Sequence, residues 1–253
     1  MKKKSQPRFI NRELSWLDFN ARVLQEAAHR SVPLLDRLRF IGIFSNNLDE
    51  FFQVRYATVQ RIAQSEKTGK KVFGGESASE LLKMITQKVI EQQKESTEIL
   101  IGIEKELEKE KIYFVNENQV LDEHKAFLKE YFIQKVSPAL MTIMISENRD
   151  QDFSDNQAFL AVKLSIDSRD TKRNQFALIE IPKELDRFIL LPQLGKNQYV
   201  MFLDDLIRYH FHIIFNFNEF TSITSHMIKV TRDAELDMEG DVSKSYINKI
   251  VES

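Results

Sequence analysis

The sequence predicts a multidomain chain of the α and α+β classes. An N-terminal three-helix bundle-like domain over residues 1–110 is followed, over 111–253, by an α+β domain with a mainly antiparallel sheet, incomplete at its C-terminus. Three observations predict this. Apolar residues recur at helical spacing in three long segments before residue 110, with no alternating run among them. From Lys111 onward, short β-type runs and turn residues alternate with amphipathic segments. A last helical segment, begun near Asp241, reaches Ser253 without a closing cap.

Composition sets the frame. The 253 residues are 42% hydrophobic and 29% charged, the balance of a folded domain with a core to bury, and 19 phenylalanines supply large apolar surfaces. The formal net charge of −2 means that any grip on phosphate or nucleic acid comes from local basic clusters. The absence of cysteine excludes disulfides and thiolate metal sites and fits a reducing compartment. No run reaches the length of a spanning helix, and Lys2–Lys4 lack the apolar run that would make them a signal peptide.

The first helix is expected over Asn11–Arg30. Ser15 with Asp18 forms a capping-box pattern, and Leu17, Ala21, Leu24 and Ala28 share one face. Pro33 suits the first turn of a second helix running to about Lys67, with Leu34, Leu38, Ile41, Leu48, Phe52, Val59 and Ile62 on one side. Its flanking Arg37, Arg39, Arg55 and Arg61 read as a solvated face paired with Asp36, Asp49 and Glu50. Ser45, Asn46 and Asn47 interrupt this helix with weak helix formers. One reading makes Asn47 an N-cap with Glu50 as its partner, so that the helix pauses and offers backbone N–H groups to a polar or anionic ligand. The other is a continuous helix with a polar stripe at 45, 46, 49 and 50. Lys67–Glu76, with three glycines, reads as a loop that lacks Walker A spacing. Ser77 with Glu80 opens a third helix to about Glu110, whose Gln92–Glu95 stretch is expected to face water.

In the second domain Ile112–Val115 reads as a short strand, and Asp122 as the cap of a helix to about Val136 that Pro138 ends. Glu147–Asn156 is a polar loop. Strands over 158–166 and 175–181 are joined by an eight-residue connection with Arg169, Lys172 and Arg173 near its tip. Phe188–Leu191 and Tyr199–Phe202 make a second hairpin around Gly195. Asp204 is expected to cap a helix to about Phe215, and Thr221–Val230 is a further strand.

No nucleophile–base–orienter set can be assembled, so no residue is assigned a catalytic role. His210 and His212, two apart, would point to nearly opposite faces of a helix, which does not suit a metal pair. Asp233, Glu235 and Asp237 would share one face of an extended segment and could hold a divalent cation, against a solvated strand end as the plainer alternative. No metal ligand is assigned.

Three stretches carry a family resemblance. Glu13–Ala27 (ELSWLDFNARVLQEA), Arg39–Arg55 (RFIGIFSNNLDEFFQVR) and Thr231–Asp237 (TRDAELD) resemble, in the same order, segments of bacterial polyphosphate kinases, and the likeness covers nearly the whole chain. It implies a helical N-terminal domain and a head domain. Two phospholipase-D-like domains then carry the phosphohistidine, a second essential histidine and the magnesium-binding arginines, none of which matches residues here. The implied reaction moves the ATP γ-phosphate to an enzyme histidine and on to polyphosphate, with ATP/ADP as substrate and Mg²⁺ in the full-length enzyme. The implied cofactor-binding residue is Asn47, which contacts ATP. The implied partners are ATP, polyphosphate and a second copy of the chain through the head domain, giving a homodimer or higher oligomer, with no specific nucleic acid. The implied location is cytoplasmic, free or peripheral to the inner membrane face. The alternative class is a non-catalytic nucleotide-binding or oligomerisation module acting as regulator or scaffold, which a genuine stop after Ser253 would favour.

Overall fold

The computed structural model describes residues 11–65, 77–145, 156–168, 171–215 and 220–231. Residues 67–76 and 147–155 of the two expected loops, Arg169, and the stretch holding Asp233, Glu235, Asp237 and the expected last helix lie outside the described residues. Two compact units result, one from residues 11–26 and 40–94, the other from 27–39 and 95–231.

Helix α1 spans Arg12–Ala28, and α2 spans Leu34–Glu50. A six-residue π-helical turn follows at Phe51–Tyr56, then α3 at Ala57–Ser65 and α4 at Ala78–Lys109. The N-terminus of α1 differs from expectation. Asn11, not Ser15, is its cap: Asn11 Oδ1 accepts from the N–H groups of Glu13 (2.9 Å) and Leu14 (3.2 Å). The Ser15–Asp18 pair falls inside the helix. At α4 the box forms as read, with Ser77 N–H donating to Glu80 Oε2 at 3.0 Å and Glu80 N–H to Ser77 Oγ at 3.3 Å.

Within the first unit Leu17, Leu24, Phe44, Leu48, Phe51, Val59, Leu81, Ile85 and Val89 are buried. The middle of α4 does not all face water. Gln92 is buried, and its Nε2 donates to the Leu17 carbonyl at 2.9 Å. A chain carbonyl within apolar packing needs a donor, and a long amide supplies one.

The second unit buries an arginine expected at the surface. Arg37 is 5% exposed rather than solvated; its Nε donates to the Ala27 carbonyl in the last turn of α1 (2.7 Å), and its Nη1 pairs with Glu106 (2.9 Å). A guanidinium at a helix C-terminus meets unpaired carbonyls and the negative end of the dipole. Helix α4 ends with Lys111 at φ 64, a left-handed residue that turns the chain into β1, Ile112–Phe114.

Helix α5 spans Asp122–Tyr131 and gives way to a second π-helical turn at Phe132–Val136 and a 3₁₀ turn at Ser137–Ala139, where Pro138 closes the segment. The residue before α5 is Leu121, with no side-chain cap, so Asp122 sits in the first turn instead. Strand β2, Met141–Ile145, was not expected. Strands β3 (Gln157–Ser168) and β4 (Thr171–Glu180) pair down to Ser168↔Thr171, so six of the eight residues expected to connect them belong to the strands. Strands β5 (Phe188–Leu194) and β6 (Asn197–Phe202) form the expected second hairpin, with Gly195 at φ +62. Helices α6 (Leu203–Tyr209) and α7 (Phe211–Ile214) replace the single expected helix, and β7 is Ser222–Val230.

Two sheets result, a three-stranded β1-β6-β5 and a four-stranded β2-β4-β3-β7. Only β1 with β6 is parallel among these pairings. Leu160, Val162 and Leu164 alternate onto one face of β3 and join Leu128, Phe132, Ile179, Met201, Leu206 and Ile207 in one core. The helical first part and the α+β second part agree with the expected fold class.

Candidate functional site

Asn47 lies in α2, not at a helix start. Helical backbone continues through Ser45–Asn47 to Glu50, and Glu50 makes no side-chain cap bond. The pause and its free N–H groups are therefore absent at this point, and the polar-stripe alternative describes α2. The irregularity falls one turn later. At the π turn the Ala57 N–H reaches back five residues to the Phe52 carbonyl.

Side chains of α1 and α2 meet in an antiparallel row. Asn20 faces Asn47, with Asn47 Nδ2 donating to Asn20 Oδ1 at 2.9 Å. One turn on, Trp16 stacks on Phe51, ring centroids 5.0 Å apart and planes at 28°. A further turn on, Glu13 pairs with Arg55 at 3.1 Å, and the Arg55 guanidinium lies 5.9 Å from the Trp16 ring centroid. Positions 20, 16 and 13 descend α1 while 47, 51 and 55 ascend the partner, the steps of three and four that keep one helix face in line.

This row opens on a cavity of about 300 Å³ lined by Arg12, Glu13, Trp16, Glu50, Phe51, Val54, Arg55, Thr58 and Val59. Aromatic surface and two guanidinium groups are its chemical content, with Glu13 and Glu50 balancing the charge. Asn47 is not among the lining residues; it stands one turn from Phe51, about 6 Å along the helix axis. Its amide is half-buried between exposed Ser45 and Asn46 and buried Leu48, so it is not sealed in the core. Of Asn47's polar atoms, Nδ2 is bonded to Asn20, and no described residue bonds Oδ1.

Reasoning from sequence singled out Asn47 and missed its partners. Asn20 is wholly buried. Its signal was present: the buried stripe of α1 is Leu17, Asn20, Leu24 and Ala27, with one polar residue among apolar ones.

Two histidines, His124 and His210, are buried. His210 is the junction of α6 and α7, at φ −102 and ψ 17, so it and His212 do not share one helix. Their rings stand 5.9 Å apart at 28°, rather than on opposite faces. The His210 ring stacks on Phe132 at 4.2 Å, and burial pushes its pKa down, which favours the neutral imidazole. His124 is buried with Nε2 bonded to the Pro192 carbonyl at 2.9 Å. In α6 Arg208 pairs with both Asp204 (2.8 Å) and Asp205 (2.6 Å), and Arg187 also reaches Asp204. Burial, with Asp204 next, nonetheless raises Asp205 to about 6, because desolvation and like charge outweigh the single guanidinium. Among the described residues no group of three or more His, Asp or Glu could hold a metal ion. No helix among them is long and apolar enough to cross a membrane.

Comparison with known proteins defines the class first. A family model described as the polyphosphate kinase N-terminal domain matches residues 9–115, and one described as the polyphosphate kinase middle domain matches 123–253. Both belong to a phosphotransferase. Among curated relatives, polyphosphate kinase from Vibrio parahaemolyticus is 36% identical over 249 residues, covering 96% of this chain and 35% of its own length. The Escherichia coli K12 polyphosphate kinase is 36% identical over 244 residues, 94% of this chain and 34% of its own. The crystal structure of polyphosphate kinase from Porphyromonas gingivalis superposes with a TM-score of 0.78 at 32% identity, over 92% of this chain and 34% of that one. The chain belongs to the polyphosphate kinase family, and spans about 35% of the length of such relatives.

Proposed function

We propose that this chain supplies one wall of an adenine-nucleotide site, with Asn47 as its contact, in the N-terminal and middle part of a polyphosphate kinase. In such an enzyme the ATP γ-phosphate passes reversibly to polyphosphate by way of a phosphohistidine carried outside this chain. Mg²⁺ would supply charge neutralisation at the phosphates and would be held by residues other than those described here. The work of this chain is binding and orientation. Asn47 can hydrogen-bond a base or sugar edge, the Trp16 and Phe51 rings offer a stacking surface, and Arg12 and Arg55 offer cationic donors to phosphate.

The observation that carries this reading is the state of Asn47: half-buried, held by one hydrogen bond, with Oδ1 unclaimed, a turn away from a cavity with aromatic and guanidinium walls. Calorimetric titration of ATP into this chain and into Asn47→Ala tests it. The account expects the variant to bind about tenfold more weakly, the loss of one hydrogen bond to a positioned group. Equal affinities would refute it. The second unit is proposed to mediate self-association. Ile145 and Phe176, adjacent in register and each 47% exposed, offer apolar surface there. Sedimentation of the chain against Phe176→Glu tests this, and a variant that associates as the parent does would count against it.

A further inference from the structure

We propose that Asn20 is the positioning residue of this site: it locks the Asn47 amide so that Oδ1 is offered to the nucleotide, and the ligand group received there is an N–H or O–H donor of the nucleoside. The proposal rests on the reading of Asn47 as a nucleotide contact.

Hydrogen-bond polarity fixes both amides. Asn20 Nδ2 lies 3.1 Å from the Phe44 carbonyl, and Asn20 Oδ1 lies 2.9 Å from Asn47 Nδ2. A backbone carbonyl can only accept, so the end of Asn20 that faces Phe44 must be its NH₂ group. The end that faces Asn47 is then Oδ1, which can only accept, so Asn47 must turn its own NH₂ toward Asn20. Flipping either amide sets oxygen against oxygen or N–H against N–H. In a residue wholly removed from water that arrangement has no solvent to relieve it. One fixed carbonyl of α2 thus determines, through Asn20 on α1, the orientation of an amide three residues along the same α2. Asn47 is left with an unclaimed acceptor, which meets the exocyclic amine of adenine or the ribose 2′-hydroxyl.

The experiment uses ¹⁵N-labelled chain, side-chain amide spectra and three probes: ATP, purine riboside triphosphate and 2′-deoxy-ATP. With no variant at all, the Asn47 Nδ2 protons should exchange with water more slowly than those of exposed Asn46. Equal exchange overturns the proposal. On titration, ATP should shift the Asn47 signal, and Asn20→Leu should weaken ATP binding about tenfold, as Asn47→Ala does. The double variant should be no weaker than Asn47→Ala alone, because Asn20 acts through Asn47. Gln92→Leu is the structural control. It removes another buried amide of the same unit, bonded to the Leu17 carbonyl, and should leave ATP affinity within about twofold. A matching loss in Gln92→Leu makes the Asn20 effect one of folding and overturns the proposal. If Asn47→Ala weakens ATP and Asn20→Leu does not, the positioning role falls while the site reading stands. If Asn47→Ala changes nothing, or ATP leaves its signal unmoved well above about 1 mM, both fall. Weaker binding of purine riboside triphosphate assigns the donor to the base amine, and weaker binding of 2′-deoxy-ATP assigns it to the ribose. Unchanged binding of both refutes the acceptor role of Oδ1.

Discussion

Replacing Asp205 by asparagine should flatten part of the pH dependence of folding and stabilise the protein near neutrality. Asp205 sits in the first turn of α6, its side chain 15% exposed, against Asp204 and 2.6 Å from Arg208. Burial, then Asp204, then Glu117 raise its pKa from 3.8 to about 6, while Arg208 opposes them. A carboxyl whose folded pKa is raised favours folding most below its unfolded pKa, and that contribution is lost as pH rises through about 6. A shift of roughly two pH units at 1.36 kcal/mol each gives a ceiling of about 3 kcal/mol. Partial solvent screening lowers this to about 1–2 kcal/mol. Asparagine keeps an oxygen acceptor for Arg208 without the charge. Urea unfolding of both proteins between pH 4 and 8 is the assay. His210, whose lowered pKa makes stability rise with pH up to its unfolded value, is common to both and cancels in the difference. The variant should gain about 1 kcal/mol over the parent between pH 4 and 7. Parallel profiles, or a variant less stable at pH 7, would refute the reasoning.

Other substitutions test other joints of the fold. Arg37→Met should cost about 2 kcal/mol in denaturant unfolding, since it strips a donor from the α1 carboxyl end and strands Glu106, which is exposed enough to recover some hydration; a neutral result would contradict the buried pairing. Lys111→Gly should stabilise by about 0.5–1 kcal/mol by relieving a left-handed residue at φ 64. Gly195→Ala should destabilise by about 1 kcal/mol, since φ +62 strains any side chain although nothing crowds its Cβ. Thermal melts separate the last two by sign.

What the sequence made legible was set by periodicity and local chemistry. Leu17, Leu24, Leu48 and Val59 fell at helical spacing, and the core buried them. The Ser77–Glu80 box is local, needing only residues three apart, and it formed. The π turn was hidden because no glycine or proline marks it; Phe51–Tyr56 reads as ordinary helix, while Ser45–Asn47, which looks like a break, is helical. Strand β2 was missed because its Met141–Ile145 residues owe their form to pairing with β4, a partner more than thirty residues away. The β3–β4 connection looked long because Asp167, Ser168, Lys172 and Asn174 are residue types common in loops, yet the ladder continues to Ser168↔Thr171. Arg37 and Gln92 were misjudged, and Asn20 passed over, for one reason: a polar side chain is buried when a distant backbone carbonyl or carboxylate awaits it, and that partner is a product of the fold. The Asn47 expectation came from family likeness, whereas its hydrogen bond to Asn20 and the cavity beside Trp16 and Arg55 are products of the fold.

The most direct test of the whole account is a map of backbone amide shifts as ATP is added to this chain. The account predicts that the changes gather on α1 and α2 around Asn20, Asn47 and Phe51 and extend to Arg55. Shifts confined to the β3–β4–β7 sheet and α6, with the Asn47 region unmoved, would contradict it.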